Sequence, residues 1–157
     1  MAKRDDVLIV LNEFRGAWNQ KDLNQLSTFL RNDIINISPA LNIGIIPIKA
    51  KATNGLHHFL KTTKEIWEQF DTYMDPLDMM NIIEKEDHLI IELLTHYPLM
   101  DITDINDLYL DNNLKFMKCY HKKITKYRAI ENRAPFGSLL LKGLKNKAKR
   151  IFGKIFL

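Results

Sequence analysis

Cysteine is almost absent from this chain. Cys119 is the only one in 157 residues, so no intrachain disulfide can form. Glycine is sparse as well. The six glycines are scattered and never take the spacing of a phosphate-cradling loop, which argues against a nucleotide cofactor. No apolar run approaches the roughly twenty residues that cross a bilayer. The apolar run at 7–11 is short and follows Asp5 and Asp6, where a signal peptide would carry positive charge, so a cytoplasmic location is expected. Acidic residues are missing altogether after Ser138.

That last absence makes the charge uneven. Lys142, Lys145, Lys147, Lys149, Arg150 and Lys154 follow Ser138, and the chain's net charge is +4, so removing those six leaves −2 for residues 1–137. The body is mildly acidic and the tail strongly basic. A nucleic-acid reading would rest on the tail alone, with no recognisable module behind it, and no specific nucleic-acid partner is expected.

What is present is enough for one real core: 46% of the residues are hydrophobic. Val7, Val10, Leu11, Phe14, Ala17 and Trp18 recur at steps of three and four, the mark of an amphipathic helix. Asp22 is placed to cap a second, short helix carrying Leu23, Leu26, Phe29 and Leu30, which Asn32 and Asp33 end. Ile34, Ile35 and Ile37 begin a strand that Pro39 interrupts. Residues 41–50, punctuated by Gly44 and Pro47, read as a hairpin or a bent edge strand. Thr53 or Asn54 is predicted to cap a third helix with the stripe Leu56, Phe59, Leu60, Thr63, Trp67 and Phe70. Strands are predicted at 79–83, 89–97, 102–110 and 114–124, with tight turns at Asp87-His88 and Asp111-Asn112-Asn113. Helices on one side of a curved antiparallel sheet make an α+β architecture.

The most informative stretch is MDITDINDLYLDNNLKFMKCYH, residues 100–121, which sets one carboxylate, Asp104, inside an apolar strand. An acid there must be solvated, paired or protonated, because burying a bare charge is very costly. Three readings are open: a general acid, a ligand anchor, or a carboxylate at a solvated sheet edge.

In order and spacing, FRGAWNQKDLNQLSTFLRNDI, NGLHHFLKTTKEIW and MDITDI with its DNN hairpin and LKFMKCYH resemble the nuclear transport factor 2-like superfamily, which includes ketosteroid isomerases and SnoaL-like polyketide cyclases. The resemblance covers most of residues 5–124. It implies a cone-shaped fold, with the sheet wrapped on the N-terminal and central helices, an apolar pocket at the open end, and homodimerisation through the sheet. It also implies a small apolar ligand bearing a carbonyl or hydroxyl group.

Asp104 falls where ketosteroid isomerases keep a protonated aspartic acid that donates to the substrate oxyanion. Met117, Cys119 and His121 alternate on the returning strand, where the family lines its pocket. Two positions depart from the pattern: Phe14 stands where the isomerase has a tyrosine, and Ser38 where it has the general-base aspartate. An isomerase or cyclase working by proton transfer would therefore rest on Asp104 and His121, and a non-catalytic ligand carrier or dimeric scaffold is the alternative.

The remaining candidates follow from placement. His121 can pair with Asp104. His96, with Tyr97, lies on the neighbouring strand and is expected to face the same cavity. Trp18 belongs to the helix core, at the pocket wall. Cys119 is either a nucleophile or a buried thiol. No metal is expected, since nothing in the spacing of His96, His121 and Asp104 demands one.

Residues 1–127 form the expected pocket domain and 128–157 an extension. On a helical wheel, Leu140, Leu141, Leu144, Ala148, Ile151, Phe152 and Ile155 share an arc of about 120°. That apolar face must dock on the protein's own sheet, on a dimer mate, on a membrane surface or on another protein.

Overall fold

The computed structural model describes residues 3–38, 41–43 and 46–126. The domain boundary at 127, the amphipathic helix expected at 138–157 and the interruptions expected at Pro39 and Gly44 lie outside the described residues.

Two helices open the chain. In α1 (Arg4–Asn19), Val7, Leu11, Phe14, Ala17 and Trp18 are buried, and Asp5 and Asp6 sit in the first turn, where the helix dipole favours negative charge. Asp22 caps α2 (Leu23–Thr28) as predicted, its carboxylate accepting from the Gln25 amide at 3.1 Å. Strand β1 (Leu30–Ser38) begins earlier than the sequence pattern indicates and spans Asn32 and Asp33, where the pattern ends the helix, with a break in the regular pairing between Leu30 and Ile35. The hairpin of β2 (Leu41–Ile43) and β3 (Ile46–Ile48) precedes β4 (Lys51–Asn54), which returns along β1.

The third helix, α3 (Leu56–Gln69), is not capped by Thr53 or Asn54. Both are strand residues of β4, paired to Asn36 and Ile35. Gly55 takes the cap position at φ 104°, a conformation that only glycine adopts without strain, and its amide donates to the Ile34 carbonyl at 2.9 Å. One glycine thus turns the chain from the sheet edge into the helix.

The rest is sheet. Strands β5 (Tyr73–Met74), β6 (Asn81–Glu84), β7 (Leu89–Tyr97), β8 (Ile102–Leu110) and β9 (Phe116–Lys126) follow, with a short 3₁₀ turn, Leu77–Met79, occupying the start of the strand predicted at 79–83. The order across the seven-stranded sheet is β4-β1-β9-β8-β7-β5, with β6 also on β7. Every pair is antiparallel except β1 and β9, which run parallel. The sheet curves, and its inner face closes on α1, α2 and α3 around one hydrophobic core. Arg15 and Asn19 of α1 fasten the far edge, the Arg15 Nε donating to the Asp75 carbonyl at 2.9 Å and the Met74 amide to Asn19 Oδ1 at 2.8 Å.

Two extra residues in β9 decide which side chains face inward. Tyr109 pairs with Lys118 but Leu110 with Phe116, leaving Met117 as an insertion. Ile105 pairs with Lys123 but Asn106 with His121, leaving Lys122 as a second. Such bulges re-aim the strand locally. Between them, Cys119 and His121 are held on the inner, buried face.

Candidate functional site

A pocket, open at one end, lies between the helices and the inner face of the sheet. The helix wall is largely apolar: Phe14 and Trp18 from α1, Phe59 and Ile66 from α3. The sheet wall mixes Leu93 and Leu108 with a polar group of Asn36, Thr95, Asp104, Asn106, Cys119 and His121. Apolar walls with a few convergent polar atoms are the usual make-up of a small-molecule site.

The polar group is a connected chain of hydrogen bonds. Asp104, on β8, is 2% exposed, and His121, on β9, is 8% exposed. Because Lys122 is an extra residue, His121 stands opposite Asn106 and reaches Asp104 along the diagonal. Its Nδ1 donates to Asp104 Oδ2 at 2.8 Å, and its Nε2 donates to Asn36 Oδ1 at 2.7 Å. The Asn106 amide satisfies its neighbours with its nitrogen toward the carboxylate, 2.9 Å from Oδ2 and 3.1 Å from Oδ1, and its oxygen toward the Thr95 hydroxyl at 3.0 Å. Asp104 therefore accepts from two side chains.

The ring nitrogens of His121 stand 2.8 Å from a carboxylate oxygen and 2.7 Å from an amide oxygen, a setting that favours the protonated ring. Burial opposes that charge, but the Asp104 carboxylate, with further help from Cys119, outweighs it and holds the ring well above the ordinary imidazole value of 6.5. Burial pushes the neighbouring Tyr97 hydroxyl up, and the Asp104 charge adds to it, so Tyr97 stays neutral.

The sequence-predicted residues divide. Phe14, Trp18, Asp104, Cys119 and His121 all line the pocket. Ser38, His96 and Met117 do not. Ser38 is buried at the last position of β1, two residues beyond Asn36. On β7 the lining residues are Leu93, Thr95 and Tyr97, so strand alternation turns His96 to the other face, where it bonds Asp75 Oδ1 at 2.7 Å and Thr103 Oγ1 at 2.9 Å. Met117 is the extra residue of the first bulge, and Phe116 takes the inward place instead.

Phe14 packs on Phe116, with ring centroids 4.6 Å apart, and so fills with hydrocarbon the place where the resemblance implies a tyrosine. Asn36 and Asn106 escaped the sequence reading, and His58 lines the pocket from α3. The two asparagines carry one signal, a polar side chain at an inward position of an alternating strand. Among the described residues no group of three or more His, Cys, Asp or Glu side chains is arranged to hold a metal.

No family model matches this sequence, and no curated protein matches it. Solved structures do. A SnoaL-like protein of unknown function from Burkholderia thailandensis shares 12% identity over 81% of this chain and 99% of its own, with a TM-score of 0.56. A steroid delta-isomerase from Pseudomonas aeruginosa shares 13% identity over 93% of each chain, with a TM-score of 0.54. An LEH-like epoxide hydrolase from M. tuberculosis shares 8% identity over 77% of this chain and 84% of its own, at a TM-score of 0.52. The fold is that of the nuclear transport factor 2-like superfamily.

Within the nuclear transport factor 2-like cone, this pocket has its own chemistry. The resemblance implies that Asp104 donates to a ligand. Here its carboxylate accepts from His121 and Asn106, and the donor on the sheet wall is the His121 ring.

Proposed function

We propose that the pocket binds an apolar small molecule carrying a carbonyl or hydroxyl group and moves a proton on it through the Asp104–His121 pair. The observation that supports this reading is a buried histidine held 2.8 Å from a carboxylate, in a pocket whose helix wall carries Phe14, Trp18, Phe59 and Ile66. A ligand oxygen that takes the place of Asn36 Oδ1 receives the Nε2 proton. For a ketone, that donor stabilises the enolate oxygen as the α-proton passes to water at the pocket mouth. Isomerisation and ring closure both pass through such an enol. The likeness to a steroid delta-isomerase supports an apolar substrate.

The second reading is a carrier of the same ligand. It is favoured by the lining residues, among which Asp104 is the only carboxylate described. Ser38 stands outside the lining, and among the described lining residues no second carboxylate is placed to act as a base.

Deuterium exchange at the α-carbon of an apolar ketone in heavy water, followed by proton NMR, separates the two. Wild-type protein is expected to catalyse exchange, and Asp104→Asn to slow it by about 10²-fold or more. Binding without exchange would favour the carrier, and no binding would overturn both readings.

A further inference from the structure

Cys119 stands on the sheet wall of the pocket, its sulfur 3.6 Å from His121 Nε2. On the far side of the same ring, Nδ1 meets Asp104 Oδ2 at 2.8 Å. Sulfur, imidazolium and carboxylate thus follow one another as nucleophile, counter-charge and orienting acid, an arrangement that favours the thiolate. A thiol serving only as packing has no need of an ionisable ring beside it. The bulges at Met117 and Lys122 hold residues 119 and 121 on one face, two apart along the strand, so the contact is built into the backbone. Tyr97, neutral, is the other ionisable group beside the sulfur, and His58 lines the pocket from α3.

We infer that Cys119 is a nucleophile that adds to an α,β-unsaturated carbonyl compound held in the pocket. The inference rests on the reading that the pocket takes an apolar carbonyl ligand, and it narrows the class. With the proton on the ring, the thiolate forms a bond to the β-carbon, and the C=C electron pair moves onto the carbonyl oxygen. The enolate then takes the Nε2 proton, ending as a ketone with that hydrogen on the α-carbon and leaving a neutral imidazole. Sulfur and hydrogen add across the double bond, nothing departs, and no oxidant or reductant is needed.

An acyl substrate fits less well. Around the sulfur β9 is paired on both sides, Cys119 to Asn36 and Leu108, and Tyr120 to Ile37 and Asp107, so the amides there are committed to the ladders and offer no oxyanion hole. Conjugate addition needs only a donor at the carbonyl end, and Nε2–H supplies it.

Because the chain has a single cysteine, the test is direct. The full chain is incubated with a medium-chain alkenone and, separately, with the saturated ketone of the same length. Adducts are read by intact-protein mass spectrometry and binding by tryptophan fluorescence. The expected result is one adduct per chain, formed at a rate that saturates with alkenone, absent in Cys119→Ser and slowed about 10²-fold or more in His121→Gln. Circular dichroism and thermal unfolding of His121→Gln check that this variant keeps its fold. The inference is overturned if the saturated ketone binds while the alkenone leaves no adduct, or one no faster than the unfolded chain gives. An adduct that persists in Cys119→Ser overturns it equally. If neither compound binds, the pocket reading itself fails and takes the inference with it.

Discussion

His121 donates its Nδ1 proton to Asp104 Oδ2 across 2.8 Å, along the diagonal of a strand pair whose register Lys122 has shifted by one residue. The two side chains come from neighbouring strands, β8 and β9, paired along their length, and neither is stable alone in this place. A buried imidazolium without its carboxylate, or the reverse, is a bare charge in a largely apolar cavity.

Truncating one partner is therefore costly. Asp104→Ala is expected to lower the unfolding free energy by about 3–5 kcal/mol, because it strands a buried charge. Asp104→Asn, which keeps the shape and removes the charge, is expected to cost less. Urea denaturation of the two variants beside wild type checks the order, and equal small losses in both would contradict the pairing.

The same pair gives a pH dependence with a definite sign. The folded-state value of His121 is raised, so its stabilisation is fully present below the ordinary imidazole value of 6.5 and is lost as pH rises through the raised value. The urea midpoint of wild type is expected to fall as pH climbs from about 6.5, and that part of the fall should vanish in His121→Gln. Parallel profiles for the two proteins would show that the ring's charge is not linked to folding.

Gly55 offers a test free of packing effects. A Cβ built there meets nothing within 4 Å, yet the backbone sits at φ 104°. Gly55→Ala is expected to cost roughly 1–3 kcal/mol from backbone strain alone. Thermal unfolding within error of wild type would mean that the turn into α3 relaxes.

At the other end of the scale, Asp22→Ala removes an exposed cap and is expected to cost about 0.5–2 kcal/mol. Its effect should add to that of Gly55→Ala if the two helix starts are independent. A double variant measured by denaturation tests the sum.

Much of this fold was legible where the pattern is local. The strands at 89–97 and 102–110 end where their alternation ends, and Asp22 caps a helix because its carboxylate and the Gln25 amide are neighbours in sequence. What depends on a distant partner was not legible. The parallel pairing of β1 with β9, the two-residue β5, and the extra residues Met117 and Lys122 exist only relative to another strand. The site inherits the same division. Asp104 announces itself as an acid in an apolar strand, and its partner His121 follows from the returning strand. Met117 was misread because a bulge exchanges its place with that of Phe116. His96 was misread because adjacency of strands does not fix which face a residue takes.

The nitrogen NMR signals of the His121 ring test the central claim most directly. At pH 7 both nitrogens are expected to carry protons in wild type, and one of them to lose its proton in Asp104→Asn. A wild-type ring that is neutral at pH 7, with one bare nitrogen, would contradict the buried ion pair on which the proposed chemistry depends.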